Sequence, residues 1–489
     1  ATAVAAHAAG ATGNSGNSPV TRMPHGTLAL AASLAAMSPV ELRELLGRRR
    51  VASPRSVQDP LSLAIELLRP ESVSSALQSL SRAELSLLQK LGDPHEPEIL
   101  EREDLDVLAS LRLRGLVGLS AAGDGSPNAN PVNAANTDSA NADAQEAGSA
   151  ASALPEVSAA LERCSLDDLA AGFGADLTGF GPSPLAARDP RAGASPDEGS
   201  TARDDTSAWF GAALASVARA AALLRTLEHR PARLSRRGAV TVTAQRELAS
   251  ATHDDPEHTA RLLEALRLSG LVETAAGHGA NPLLWPSPTA GDWLALPAPE
   301  RWAALAEAFV AGIPSELAHT IRLQAPGSAG ESDAAIDVRF AAGPLLDHEF
   351  PLLPGALRER AREWAAAAES LGLTVGGRLT PPAILSLDGH RDEVLALARR
   401  DLPPPAPGVY LQPDLSLIVP GPLDPDDERA LTAIADTEQL GAALTMRLSP
   451  ATLTRALRAG QSVTEIRALL ERLSLTGVPQ PLDYLLGDL

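Results

Sequence analysis

Lysine is nearly absent from this sequence. Lys90 is the only lysine among 41 basic residues, and Leu91 follows it. A nucleotide-binding P-loop requires Gly-Lys-Ser/Thr, because the lysine contacts the β- and γ-phosphates and the hydroxyl group binds Mg²⁺. These 489 residues therefore contain no P-loop. A motor would also need a Walker B motif, which is an acidic pair at the end of an apolar strand. Neither Asp197-Glu198 nor Asp392-Glu393 follows an apolar strand, so we do not expect an ATP-driven motor.

Cysteine is almost as scarce. A single cysteine, Cys164, excludes an internal disulfide and a zinc site with several cysteine ligands. His253 and His258 flank two aspartates, but a helix is predicted to start between them, at Pro256. Acidic residues are favourable at a helix N-terminus, so these aspartates need no metal to explain them. The nucleophile motif G-x-S-x-G and the metal motif H-E-x-x-H are both missing. We predict no metal, no cofactor and no catalytic residues.

Aromatic residues and net positive charge are also lacking. Aromatic residues make up only 3% of the chain, so its cores must be built from Leu, Val and Ala, which favours helices. The predicted fold class is mainly α with short β-strands (α+β). No uninterrupted apolar run reaches the roughly 18 residues of a membrane span, and we expect a cytoplasmic protein without membrane contact. A net charge of −20 means that any nucleic-acid contact requires a local basic patch.

Changes in composition predict six segments. Two of them contain several short helices followed by a similar five-residue sequence, L-R-G-L-V at 113–117 and L-S-G-L-V at 268–272. This internal repeat favours tandem winged-helix-like units. The chain lacks an initial Met and ends in a predicted helix, so we expect a fragment of a longer protein. The segments are 1–26, disordered; 27–119, helical and winged-helix-like; 120–206, a low-complexity linker with one helix; 207–302, a second winged-helix-like unit; 303–407, a helical connector with short strands; and 408–489, a small α/β domain.

The last segment has the clearest pattern. Apolar residues alternate in V-Y-L from 409 to 411 and in L-S-L-I-V from 415 to 419, which predicts two short strands around a Pro413-Asp414 turn. Three helices follow, and their predicted N-terminal residues are Asp424, Ser449 and Ser462. Ser462 with Glu465 has the spacing of a capping box.

Three stretches of this segment resemble a known family. They are Y-L-Q-P-D-L-S-L at 410–417, R-L-S-P-A-T-L-T-R-A-L-R-A-G at 447–460 and L-S-L-T-G-V-P at 473–479. In order and spacing they are similar to the helicase-associated domain shared with the N-terminal region of XPB-type DNA helicases. The rest resembles long actinobacterial proteins that carry this domain without a motor. The resemblance implies a role beside a DNA-remodelling motor in DNA repair or transcription, and it implies no reaction.

One basic cluster stands out in the second winged-helix-like unit. It begins at Arg225 and contains a single acid, Glu228, before it reaches the unit's helices. Arginines that neutralise the phosphate backbone, together with one inserted helix, are how such units bind duplex DNA. A solvated, charge-balanced surface is the alternative interpretation. The predicted DNA-binding residues are Arg230, Arg233, Arg236, Arg237, Arg246, Arg261 and Arg267.

The C-terminal segment is acidic instead. Residues 409–489 contain 11 acids and 6 arginines, which suits a protein partner such as a helicase or nuclease better than it suits phosphate. The predicted docking residues form two turns, although both turns have a purely structural interpretation as well: Gln412, Pro413 and Asp414 in the first, and Gly477, Val478 and Pro479 in the second. The sequence thus favours a non-motor accessory protein that binds DNA and a partner, with nucleoid association if DNA is bound. The alternative is a protein-interaction scaffold without nucleic-acid binding.

Overall fold

A computed structural model defines the fold, and its helices and short antiparallel sheets confirm the α+β expectation. The predicted N-terminal disorder and most of the predicted linker lie outside the described residues. The chain forms two compact units, Ala1–Gly181 with Phe350–Leu353 and Pro182–Glu349 with Pro354–Leu489. The structure describes residues 26–49, 51–92, 102–119, 151–167, 184–187, 208–236, 238–275, 282–325, 336–440 and 444–488.

The first unit is a helical bundle with one small hairpin. Most of its helices begin at proline, which suits the first helical turn because its missing N–H needs no partner there. Ser38 and Glu41 form a capping box at the start of the helix Pro39–Arg48. The elements are α1 (Thr27–Ala36), α2 (Pro39–Arg48), α3 (Pro60–Leu67), α4 (Pro70–Leu77), α5 (Arg82–Gly92), α6 (Arg102–Leu113), β1 (Val117–Leu119), β2 (Ala151–Ala153) and α7 (Pro155–Asp167).

Strand β2 was not predicted. It pairs antiparallel with β1, Val117 opposite Ala153 and Leu119 opposite Ala151. The sequence A-S-A has no strand-like alternation, and its partner lies on the far side of the 120–150 stretch, so only long-range pairing identifies it as a strand.

Arg49 differs from its sequence-based interpretation. In the sequence, Arg48-Arg49-Arg50 favours a solvated helix end, with a phosphate contact as the alternative, whereas Arg49 is only 5% exposed in the structure. Its guanidinium donates to the carbonyl of Arg114 at 2.7 Å, to Ser72 Oγ at 3.2 Å and to the carbonyl of Leu67. Burial, with the nearby charge of Arg114, lowers the pKa of Arg49 to about 10. Arg49 therefore satisfies buried acceptors of the bundle and is not available to a ligand.

The second unit starts, after a short helix α8 (Pro184–Ala187), with a mixed segment. Three strands form one antiparallel sheet in the order β3-β5-β4. Thr241 and Asp255 cap the two middle helices, because their side-chain oxygens accept from free N–H groups of the first turn. The elements are α9 (Trp209–His229), β3 (Ala232–Arg233), α10 (Val242–Ala251), α11 (Pro256–Leu268), β4 (Val272–Ala275) and β5 (Leu283–Pro286).

Tryptophans join this segment to the helices that follow. The rings of Trp209 and Trp302 lie 4.7 Å apart, and Trp302 Nε1 donates to the carbonyl of Leu371 at 2.8 Å. Trp293 is also buried, so Trp293 and Trp302 are both packing residues of this helical segment. The elements are α12 (Thr289–Leu294), α13 (Ala298–Ala311), α14 (Ser315–Leu323), α15 (Val338–Phe340), α16 (Leu346–Glu349), α17 (Gly355–Ser370), β6 (Thr374–Val375), β7 (Arg378–Leu379), α18 (Pro381–Leu387) and α19 (Arg391–Asp401).

Apolar residues at 336, 338 and 340 predict a short strand over 336–340, but the structure has no strand there. Asp337 makes one bridge to Arg378, and its side chain then accepts from the N–H of Phe340 at 2.9 Å and starts helix α15. A π-helical turn, Ala341–Leu345, continues the chain into α16, with a backbone break at Gly343. The local capping bond therefore overrides the apolar pattern that favoured a strand.

The C-terminal domain is a four-stranded sheet with helices. Asp424, Ser449 and Ser462 cap the three predicted helices. The second hairpin was not predicted, because D-T-E-Q-L and L-T-M-R hold few apolar residues at alternate positions. It adds two strands in the order β10-β11-β9-β8. The elements are β8 (Tyr410–Leu411), β9 (Ser416–Val419), α20 (Pro425–Ile434), β10 (Asp436–Leu440), β11 (Leu444–Arg447), α21 (Pro450–Arg458), α22 (Val463–Leu473) and α23 (Gln480–Gly487).

Candidate functional site

Four of the predicted DNA-binding arginines are exposed and carry free charge. Arg230 follows α9, Arg233 is in β3, Arg236 is in the next turn and Arg246 is on α10. Within the described part of the chain none of them has an acidic partner within ion-pair distance. A fifth predicted residue, Arg237, lies outside the described residues.

The turn that carries Arg236 has defined geometry. Ser235 N donates to the carbonyl of Ala239 at 2.7 Å, and Thr241 N donates to the carbonyl of Arg233 at 3.1 Å. These bonds close the loop between β3 and α10, so Arg233 and Arg236 are held in one short turn. We call Arg230, Arg233, Arg236 and Arg246 the arginine strip.

The last two predicted DNA-binding residues are neutralised. Both lie on α11, where Arg261 pairs with Glu257 at 3.3 Å and Arg267 pairs with Glu264 at 2.5 Å. The hydrogen bond to the Glu264 carboxylate raises the pKa of Arg267 above its ordinary value. Since acids and bases alternate on the solvent face of α11, this helix offers a DNA backbone less free positive charge than Arg230, Arg233, Arg236 and Arg246 do.

Arg225, at the start of the predicted basic cluster, lies in a partly buried ion-pair triad. One carboxylate oxygen of Glu428, on α20, accepts from Arg225 at 2.9 Å, and the other accepts from Arg301 at 2.7 Å. Arg301 is 3% exposed, lies 5.6 Å from the centre of the Trp293 ring and also donates to the carbonyl of Leu294. Glu428 therefore connects the C-terminal domain to α9 and α13.

Sequence reasoning missed this triad. Glu428 lies 203 positions from Arg225 and 127 from Arg301. No local signal distinguishes its carboxylate from the other acids at the start of α20. The pairing is visible only when the helices are packed.

The first predicted docking turn is a tight hairpin loop. Gln412 N donates to the carbonyl of Ser416 at 2.9 Å, and Leu415 N donates to the carbonyl of Gln412 at 3.0 Å. Asp414 Oδ1 accepts from the backbone N of Ser416 at 3.1 Å and from its hydroxyl at 2.7 Å. Both bonds lower the pKa of Asp414, and the bond from the Ser416 hydroxyl has the larger effect. Leu415 has a φ of 70°, in the left-handed region that glycine normally occupies at this position of such loops.

The second predicted docking turn lies beside the first. Leu475 N donates to the carbonyl of Val409 at 2.9 Å, and Thr476 Oγ1 donates to the carbonyl of Leu411 at 3.2 Å. The Ser474 hydroxyl closes the turn on the carbonyl of Gly477 at 2.7 Å. The fold therefore brings together two turns that are about sixty residues apart in sequence.

Exposed apolar side chains lie between these turns. Tyr410 is 41% exposed and Leu475 is 43% exposed, and Pro413, Asp414 and Gly477 are exposed around them, whereas Gln412, Val478 and Pro479 are half-buried. Tyr410 belongs to β8, which is the edge strand of the four-stranded sheet. We call Tyr410, Pro413, Asp414, Leu475 and Gly477 the docking edge.

Neither a metal site nor an exposed membrane-spanning helix is found among the described residues. Within the described ranges no group of three or more His, Cys, Asp or Glu side chains could hold a metal ion. Among those residues α9 alone is long and apolar enough to cross a membrane, and 44% of its most apolar window is buried. Core helices of soluble proteins have the same properties, and α9 packs in this way through Trp209 and its alanine-rich face.

Fold and surfaces together define an α+β protein with a small C-terminal domain held against a helical segment. Residues 409–489 match a protein family described as the helicase conserved C-terminal domain. The chain therefore carries a helicase-associated C-terminal domain. No curated protein matches the chain.

Proposed function

We propose that this protein is a non-motor accessory factor of DNA repair or transcription. The observation that carries the proposal is the family match of the C-terminal domain together with the docking edge on its surface. The kinship to XPB-type helicases and to actinobacterial proteins of this kind, drawn from the motifs at 410–417, 447–460 and 473–479, is part of the proposal. The chain contributes no ATPase motor, because its only lysine lies outside any P-loop.

The arginine strip is the proposed DNA contact. Its segment has the order helix, strand, helix, helix, strand, strand with the sheet order β3-β5-β4, which supports a winged-helix unit. The free charge lies on the β3–α10 turn and α10, and α11 is balanced. Contacts of this kind neutralise the phosphate backbone without reading bases, so we expect binding that depends little on sequence and strongly on salt.

The docking edge is the proposed partner contact. It combines exposed apolar side chains with an acidic turn. The outward N–H and C=O of Val409 and the C=O of Leu411 already bond to residues 473–476, so the partner would contact side chains. A helicase or nuclease with a complementary apolar and basic surface is the proposed partner. The protein would act in the cytoplasm, at the nucleoid when DNA is bound.

A DNA-binding assay tests the first half. Fluorescence anisotropy with a labelled duplex should show weaker binding for Arg233→Ala/Arg236→Ala than for wild type, because two phosphate contacts are lost. The slope of the logarithm of the binding constant against the logarithm of the salt concentration should become shallower by about 2, because each of the two lost phosphate contacts contributes roughly 0.9. Arg322→Ala/Arg360→Ala, which removes two other exposed arginines, is the matched control. Equal binding by all three proteins, or no binding, removes the DNA half.

A scaffold without DNA contact is the second candidate, and the net charge of −20 favours it. Co-purification from nuclease-treated extract separates the two. Leu475→Asp should abolish co-purification of the specific partner protein. Tyr484→Asp is the control, because Tyr484 is 65% exposed but lies outside the docking edge, and it should leave co-purification intact. Co-purification that survives nuclease, combined with no DNA binding, supports the scaffold. Co-purification that Leu475→Asp leaves intact contradicts the docking edge.

A further inference from the structure

The second unit contains a cleft of about 600 Å³ whose rim is rich in arginine. Four guanidinium groups line it: Arg219 of α9, Arg261 of α11, Arg339 of α15 and Arg362 of α17. They come from four helices that are far apart in sequence. Only Arg261 belongs to the predicted DNA-binding set, and no member belongs to the arginine strip.

The floor of the cleft is small and apolar. It is lined by Ala212, Ala342 and Ala365, and by Gly343 at the break in the π-helical turn. A Cβ atom added at Gly343 would meet no atom within 4 Å, so the space beside it is open. Single π-helical turns occur often at functional sites. The cleft therefore has room for the body of a small organic molecule beneath a charged rim.

A buried carboxylate organises one side of the rim. Asp254, with a side chain 8% exposed, lies 3.4 Å from Arg219 Nε and 2.6 Å from His258 Nδ1. The Nε–H of Arg219 is buried without a well-aligned hydrogen bond in the described structure. With Nδ1 of His258 directed at Asp254, its Nε2 has no hydrogen-bond partner among the described residues. The Nε of Arg219 is enclosed by the protein and faces Asp254, so the polar atom left for a ligand on this side of the rim is Nε2 of His258.

The other guanidiniums are held by weak, exposed ion pairs. Arg261 pairs with Glu257, which is 81% exposed, and Arg362 lies 3.6 Å from Glu359, which is 62% exposed. Arg339 pairs with Glu369, itself on the rim. Exposed pairs of this kind contribute little to stability. A phosphate dianion that accepts bidentate hydrogen bonds from guanidinium groups is a stronger partner and can replace them.

We propose that this cleft binds a phosphate monoester, with the phosphate on the arginine rim and the organic body against the alanine floor. The site goes beyond the proposed accessory function and does not depend on it. The phosphate could belong to a free metabolite or to the 5′ end of a DNA strand, and the shared chemistry is the terminal phosphate group. The volume of the cleft favours the free metabolite.

Isothermal titration calorimetry of the full chain tests the site. The probes are inorganic phosphate, AMP, phenyl phosphate and a 5′-phosphorylated oligonucleotide, with adenosine, phenol and the 5′-hydroxyl oligonucleotide as matched controls that lack the terminal phosphate. We expect the member with the terminal phosphate in at least one pair to bind and its counterpart not to bind. If only the oligonucleotide pair behaves in this way, the terminal phosphate of DNA is the ligand. A specific site should bind with a dissociation constant below roughly 10 mM. The proposal is overturned if none of the phosphorylated probes binds at about that concentration.

Two variants connect binding to the rim. Arg339→Gln/Arg362→Gln should weaken phosphate binding about tenfold or more, because each charge-assisted hydrogen bond contributes about that factor. Arg322→Gln/Arg360→Gln carries the same charge change outside the cleft and should bind like wild type. Equal weakening by both pairs would contradict the site. The cleft variant should keep wild-type duplex affinity, and Arg233→Ala/Arg236→Ala should keep wild-type phosphate binding, so that failure of either proposal is seen separately.

Discussion

Arg225 and Arg230 lie five positions apart in the same basic stretch, and the fold gives them opposite environments. Arg225 is half-buried, with its charge directed at Glu428 beside the almost fully buried Arg301. Arg230, like Arg233 and Arg236, is exposed and has no acidic partner among the described residues. A run of arginines in sequence is therefore not one surface, because one turn of a helix is enough to move a side chain from solvent into an interface.

The largest expected effect comes from removing the shared acid of the triad. Glu428→Ala leaves two poorly hydrated guanidiniums without a counter-charge, and we expect it to lower the free energy of unfolding by about 3 to 5 kcal/mol. Urea denaturation measures this value. Glu438→Ala, which removes an exposed acid paired with Arg447, is the control and should cost about 1 kcal/mol or less. Equal losses for the two variants would show that burial of the triad has no energetic consequence.

The two arginines of the triad should differ from each other. Arg301→Ala removes three interactions of an almost fully buried side chain, with Glu428, the Leu294 carbonyl and the Trp293 ring, and should cost about 3 kcal/mol. Arg225→Ala removes one pair at a side chain that is 24% exposed, and should cost about 1 kcal/mol. A double-mutant cycle with Glu428→Ala measures each coupling. A larger coupling for Arg225 would reverse the ranking by burial.

The arginine strip should have almost no effect on stability. Arg233→Ala/Arg236→Ala removes exposed side chains with no acidic partner in the described structure, so the free energy of unfolding should change by less than about 0.5 kcal/mol. The same variant should weaken duplex binding. A stability loss comparable to that of Arg225→Ala would mean that these side chains have structural contacts. Arg225 and the arginine strip would then not differ in environment.

The smallest effect concerns the docking edge, which is exposed like the arginine strip. The Ser416 hydroxyl and N–H stabilise the Asp414 carboxylate and lower its pKa. Because the folded-state pKa is depressed, the stabilisation is present above the unfolded-state pKa, about 3.9, and is lost as the pH falls through the folded-state value. Ser416→Ala should raise the pKa of Asp414 in an NMR titration. An unchanged pKa would show that the hydroxyl bond is absent in solution.

Local signals in the sequence were sufficient for much of the fold. The helix starts at Ser38, Asp255, Ser449 and Ser462 follow from side chains that cap N–H groups two or three residues away, and such bonds do not depend on the rest of the chain. The motifs at 410–417 and 447–460 likewise pointed to the domain that the family match then placed at 409–489.

Most of the features that were missed depend on partners far away in the chain. Strand β2 has little apolar alternation and exists because β1, on the other side of residues 120–150, pairs with it. Strand β10 is an exception, since its partner β11 is the next strand in the chain. Arg49, the Glu428 triad and the arginine-rimmed cleft have no local pattern, since their partners lie on helices tens to hundreds of residues away. Local bonding could be deduced from residue types and spacing in the sequence, whereas the burial and pairing of charges arose only when the helices packed, because packing sets which charges lose water and which neighbour replaces it.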